Sequence, residues 1–77
     1  SIDKSILGIN TKAKIEFIDD GFEDVITLVT TLDAKPEEML ISIESELGKA
    51  LAGKKVGDIV EVEAPGENYS VKILEIL

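Results

Sequence analysis

The chain contains neither cysteine nor histidine. Disulfide bonds, thiolate nucleophiles, Ser-His and Cys-His relays and the usual zinc, iron and copper ligand sets are therefore excluded. Arginine and tryptophan are missing too, and the aromatic residues are only Phe17, Phe22 and Tyr69. Nucleic-acid binders rely on those side chains to fork phosphates and stack on bases. A formal charge of −8, from 16 acidic residues against 8 lysines, also repels a phosphate backbone. Apolar runs do not exceed three residues, whereas about 20 are needed to span a bilayer, and no basic stretch followed by an apolar one opens the chain. The expectation is a soluble, cytoplasmic protein with no metal, cofactor, membrane or direct nucleic-acid partner. A basic protein surface is the natural complement.

At 77 residues the chain is expected to form one domain over residues 1–77. A chain of this size buries only about 60–65% of the surface its unfolded form exposes, which leaves a thin core and little room for a substrate-sized cleft. The opening residue, Ser1, reads as the start of a processed chain or of a fragment of a longer one.

Residues 1–11 mix apolar and small polar residues around Gly8 and Asn10, a lead-in with a short edge strand. From Lys12 to Ile18 the pattern alternates, with Ala13, Ile15 and Phe17 on one side and Lys12, Lys14 and Glu16 on the other, the period of a half-buried strand. Asp19-Asp20-Gly21 breaks the alternation, and a β-branched run from Asp24 to Leu32 follows at hairpin distance. Ile26, Leu28 and Leu32 share one parity, and Val25, Thr27, Val29 and Thr31 the other, so this run is expected to be central and covered on both faces. Asp33 to Glu38 reads as a loop and Met39 to Ile43 as a short apolar strand. Ser45 is a helix N-cap, Glu46 suits the positive helix end, and Leu47, Ala50 and Leu51 form one stripe that Gly53 terminates. Asp58 to Ala64, a Pro65-Gly66 turn and Tyr69 to Leu77 complete a second hairpin. This element order predicts an α+β fold, an antiparallel sheet with one short helix against it.

Several clusters invite a chemical reading. Asp19, Asp20, Glu23 and Asp24 are carboxylates of the kind that hold hard cations, but their spacing does not match a calcium loop, and a solvated hairpin tip is the simpler account. Glu37-Glu38 and the pair Glu61 and Glu63 have no cleft to make them an acid–base couple, and the latter alternate with Val60 and Val62 as the wet face of a strand. Lys54-Lys55 lies between Gly53 and Gly57 but lacks the order of a phosphate-binding loop, so it reads as a helix-to-strand turn. No catalytic residue is assigned.

From Ile41 onward, Ser45, the helix Leu-Gly-Lys-Ala-Leu, Gly53-Lys54, the Gly57-Asp58 turn, the Ala-Pro-Gly turn and the terminal strand resemble the C-terminal domain of the Gre-type (GreA/GreB) bacterial transcript cleavage factors. The preceding hairpin maps onto residues 12–32. The resemblance implies an FKBP-like fold, a curved antiparallel sheet packed on one helix. It also implies a domain that docks on bacterial RNA polymerase at the secondary-channel rim, gripping the tip of a coiled coil of the largest subunit. In that family cleavage of backtracked RNA is supported by a separate N-terminal coiled coil, and no heptads of the required length occur in these residues. By position the contact group is Glu44, Ser45, Glu46 and Leu47. The family usually carries Ser-Pro at the helix entry, where this chain has Ser45-Glu46 and loses the stiffening of a first-turn proline. A monomeric docking module without catalysis of its own is the reading that follows. The alternatives are a polymerase-binding regulator of the Rnk type, with a shorter or altered coiled coil, a peptidyl-prolyl isomerase, for which three aromatics are few, and a purely structural or oligomerisation domain.

Overall fold

The computed structural model describes residues 5–77, so the first four residues of the lead-in lie outside the described residues. Strand β1 (Lys12–Phe17) buries Ala13 and Ile15 completely and turns its lysines outward, as its alternation requires. The chain reverses at Gly21, where φ is +69°, and β2 (Phe22–Val29) pairs back antiparallel from Phe17↔Phe22 to Lys12↔Thr27. The two side-chain parities of β2 survive in part. Ile26 and Leu28 on one face and Val29 on the other are buried, but Val25 is exposed and the strand stops at Val29, leaving Leu32 outside the sheet. The reason is local competition. The Asp33 backbone N–H donates to the Thr30 carbonyl at 3.0 Å and the Thr30 hydroxyl to the Asp33 carboxylate at 3.2 Å, which winds residues 31–33 into a 3-10 turn.

A second 3-10 turn over Pro36–Glu38 and a left-handed Met39 bring the chain back to the start of β3 (Leu40–Ser42). This connection makes β3 parallel to β2, from Thr27↔Leu40 to Val29↔Ser42, whereas an all-antiparallel sheet was expected. Helix α1 (Glu46–Leu51) follows, then β4 (Ile59–Val62) and β5 (Tyr69–Ile76), the expected second hairpin, antiparallel from Ile59↔Lys72 to Val62↔Tyr69. The sheet order is β3-β2-β1-β5-β4, so β1 takes the centre and β2 lies one place from the edge.

Helix α1 packs against both edge strands, β3 and β4. In a flat sheet those edges would lie roughly 19 Å apart, four strand spacings, while a helix of this length spans roughly 9 Å. One short helix can touch both only if the sheet curls around it. The result is a mixed five-stranded half-barrel of the FKBP-like α+β class, closed over a core of Ile15, Ile26, Leu28, Leu51, Val62, Val71 and Ile73.

Among the described residues 5–11 no strand forms. Leu7, only 1% exposed, instead plugs the core, with its N–H donating to the Lys54 carbonyl and its carbonyl accepting from the Gly53 N–H, both at 2.8 Å. Gly53 can take part because its φ of +79° turns the chain sharply after the helix.

Candidate functional site

The segment from Ser42 to Leu47 leaves a sheet edge and enters the helix, and one serine organises it. The Ser42 carbonyl accepts from the Ser45 hydroxyl at 2.6 Å and from the Ser45 N–H at 3.1 Å. The Ser42 hydroxyl accepts from the Glu44 N–H at 3.0 Å and lies 2.8 Å from the Thr31 hydroxyl. Ser45 then caps α1 by accepting from the Gly48 N–H at 3.0 Å. Its hydroxyl donates backward and accepts forward, so both hydrogen-bonding functions are used. Glu46 supplies the first-turn carboxylate expected at a positive helix end.

This turn can sit so close to the strand because Gly48 has no side chain. A Cβ there would overlap the Ser42 carbonyl oxygen and come within 2.8 Å of the Ser42 carbonyl carbon and 3.0 Å of the Ile43 Cα. Gly48 and Ser42 are the positioning residues that sequence reading did not single out as such. The available signal was the Ser-x-x-Ser spacing from Ser42 to Ser45 and a glycine inside a helix.

Glu44 and Glu46 are exposed, Ser45 is half-buried, and Leu47 is half-buried against the core, so it offers only part of its side chain to a partner. Lys49 lies 3.5 Å from the Glu46 carboxylate one turn on. Both groups are well exposed, and such a pair is worth about 0.3–0.5 kcal/mol. Glu61 on the exposed face of β4 and Glu63 just after that strand join Glu46, Lys49 and Ala50 around an open hollow of about 270 Å³. The turn thus lies on a surface where three carboxylates surround one ammonium. That is a field for a basic partner.

Where β1 ends and β2 and β5 begin the three aromatics gather, with Phe17 and Tyr69 ring centres 5.8 Å apart and Phe17 and Phe22 6.2 Å apart. Burial there pushes the Tyr69 phenol above its ordinary value. A hollow of about 350 Å³ between Phe17 and Tyr69 is rimmed by Asp19, Asp20 and Glu67, an acidic border unlike the apolar pocket that a proline-directed isomerase needs. Among the described residues no three carboxylates are arranged to hold a metal ion. Nor is any helix among them long and apolar enough to cross a membrane.

Residues 3–77 match the family model described as "Transcription elongation factor, GreA/GreB, C-term". The chain is 43% identical over 75 residues to the transcription elongation factor GreA of Thermoanaerobacter pseudethanolicus, covering 97% of this chain and 46% of that protein. It is 40% identical over 75 residues to GreA of Clostridium botulinum, with 97% and 47% covered. Among solved structures, the GreA factor homolog 1 (Gfh1) of Thermus thermophilus superposes with a TM-score of 0.80 at 26% identity, over 94% of this chain and 48% of that one. The GreA/GreB factor of Nitrosomonas europaea gives 0.78 at 28% identity, over 99% and 64%. The chain spans about half the length of the curated relatives it matches. These likenesses favour neither the Rnk-type regulator nor the isomerase.

Proposed function

The chain belongs to the GreA/GreB C-terminal domain family, and from that premise we propose that it is the RNA polymerase-docking part of a Gre-like transcription elongation factor. It works as one cytoplasmic, monomeric module over residues 1–77 and presents Glu44, Ser45, Glu46 and Leu47 to bacterial RNA polymerase. Its target is the tip of the largest subunit's coiled coil at the rim of the secondary channel. No catalysis is assigned to these residues. Support for cleavage of backtracked transcripts belongs to a coiled coil outside them.

The observation that carries this reading is the turn itself. Glu44 and Glu46 are held outward on a frame in which Ser42 and Ser45 satisfy each other and the helix end, so little conformational entropy is lost on docking. Acidic groups on such a frame raise the association rate to a basic surface and make it salt-dependent, since the screening length falls to about 8 Å at physiological ionic strength.

The test is binding to purified bacterial RNA polymerase by interferometry at low and physiological salt. Wild type is compared with Ser45→Ala and with the double variant Glu44→Lys, Glu46→Lys. The double variant is expected to lose about tenfold or more in affinity at low salt and most of the salt dependence. Equal binding of wild type and the double variant would remove the proposed contact group.

A further inference from the structure

We propose that Leu32 is an apolar anchor of the same docking face, inserting into an apolar dent on the partner next to the basic surface that receives Glu44 and Glu46; this rests on the docking reading above. Leu32 is 97% exposed, against 61% for Ile59 and 60% for Phe22, the next most exposed of the large apolar side chains among the described residues. Single exposed leucines are ordinary on protein surfaces, so exposure alone decides nothing. What distinguishes Leu32 is how it is held and to what it is tied.

Both neighbours of Leu32 are fixed. On one side the Thr31 hydroxyl is hydrogen-bonded to the Ser42 hydroxyl at 2.8 Å, and on the other Asp33 is bonded to Thr30 through both its N–H and its carboxylate. The Ala34 N–H donates to the Thr31 carbonyl at 3.3 Å and closes the turn. Leu32 is thus left at the apex of a pinned 3-10 turn with no packing partner to account for it. A side chain displayed on an ordered backbone loses little entropy when it is buried by another protein.

The same serine serves both turns. Ser42 binds Thr31 with its hydroxyl, orients Glu44 with that same oxygen, and receives the Ser45 hydroxyl on its carbonyl. Leu32 and the Glu44–Leu47 turn are therefore two arms of one hydrogen-bonded frame, and one partner surface is proposed to meet both. The occupant follows from the chemistry of the arms. It is a basic protein surface with an apolar depression, because Asp33 follows the exposed leucine in the same turn and the exposed Glu44 hangs from the Ser42 hydroxyl that also meets Thr31. An apolar centre within a charged rim is the usual anatomy of a binding hot spot.

The test uses the whole chain with purified bacterial RNA polymerase as the probe, measuring affinity at two salt concentrations together with the melting temperature. Leu32→Ala is expected to weaken binding about tenfold or more at both salts, as loss of most of a buried leucine side chain requires. It should leave the salt dependence and the melting temperature unchanged, and Leu32→Met should restore affinity to within about threefold. The charge-reversed variant of Glu44 and Glu46 should instead change the salt dependence. Wild-type affinity in Leu32→Ala alongside a weakened charge-reversed variant would overturn the anchor and leave the docking turn standing. A drop in melting temperature in Leu32→Ala would show an internal packing role and would also overturn it. Absence of wild-type binding at low salt would bring down the docking reading and the anchor together.

Discussion

Replacing Gly48 by alanine sets one local effect against one tertiary one, and their signs differ. In an exposed helix interior alanine is favoured over glycine by about 1 kcal/mol, because glycine gives up more backbone freedom on folding. Here the added methyl would meet backbone on its open side, overlapping the Ser42 carbonyl oxygen and lying 3.0 Å from the Ile43 Cα. A rotamer change cannot relieve that contact. The N-terminal turn of α1 must move away from β3, which stretches the 2.6 Å bond from the Ser45 hydroxyl to the Ser42 carbonyl. Overpacking of this kind costs about 1–3 kcal/mol, and a backbone obstacle belongs at the upper end. After the helical gain is subtracted the net loss is about 2 kcal/mol, or a fall in melting temperature of roughly 8–16 °C for a chain this small. Thermal and urea denaturation followed by far-ultraviolet circular dichroism would measure it. Lys49→Ala, at the next and exposed position, serves as a control expected to stay within about 0.5 kcal/mol of wild type. If Gly48→Ala melts at or above the wild-type temperature, the close approach of helix to strand is not what fixes the turn.

Ser45 separates two functions of one hydroxyl. Ser45→Ala should cost about 1 kcal/mol, and Ser45→Asp should keep the cap to Gly48 yet remain destabilised, since an ionised carboxylate cannot donate to the Ser42 carbonyl; Ser45→Thr should match wild type in urea midpoint. Ser42→Ala should lose about 1–2 kcal/mol in the same assay, because the Glu44 N–H and the Thr31 hydroxyl both lose their partner. Leu51→Ala, at a side chain with no exposure, should cost about 2–5 kcal/mol and approach the whole stability of so small a domain. Tyr69 has its phenol raised by burial, so unfolding releases that proton at a lower pH than the folded chain does. Stability should be unaffected well below the ordinary phenol value of about 10 and should fall as pH rises through it. Comparing urea midpoints of wild type and Tyr69→Phe between pH 8 and 11 isolates this effect from lysine titration, and parallel curves would refute it.

What the amino-acid sequence determined here was whatever depends on near neighbours. Alternation placed Ala13 and Ile15 inward, Gly21 and Gly53 marked chain reversals, and Ser45 announced a helix that begins at Glu46. The pairing of Lys12–Phe17 with the following run was legible because only a tight turn separates them. Leu32 misled for the same reason, since its parity with Ile26 and Leu28 continues past Val29, where hydrogen bonds between Thr30 and Asp33 end the strand. The parallel direction of β3, the central place of β1 and the insertion of Leu7 against residues 53 and 54 were decided only in three dimensions. Each depends on partners far apart in the chain, and no periodicity encodes which edge a strand will join. The candidate site divides along the same line. Glu44, Ser45, Glu46 and Leu47 were readable as a capped helix entry, but the frame that aims them was not. It requires Thr31 to meet Ser42 across 11 residues, which follows from the pairing of β3 with β2 that sets Ser42 beside Val29, and Gly48 to let the helix backbone approach the strand.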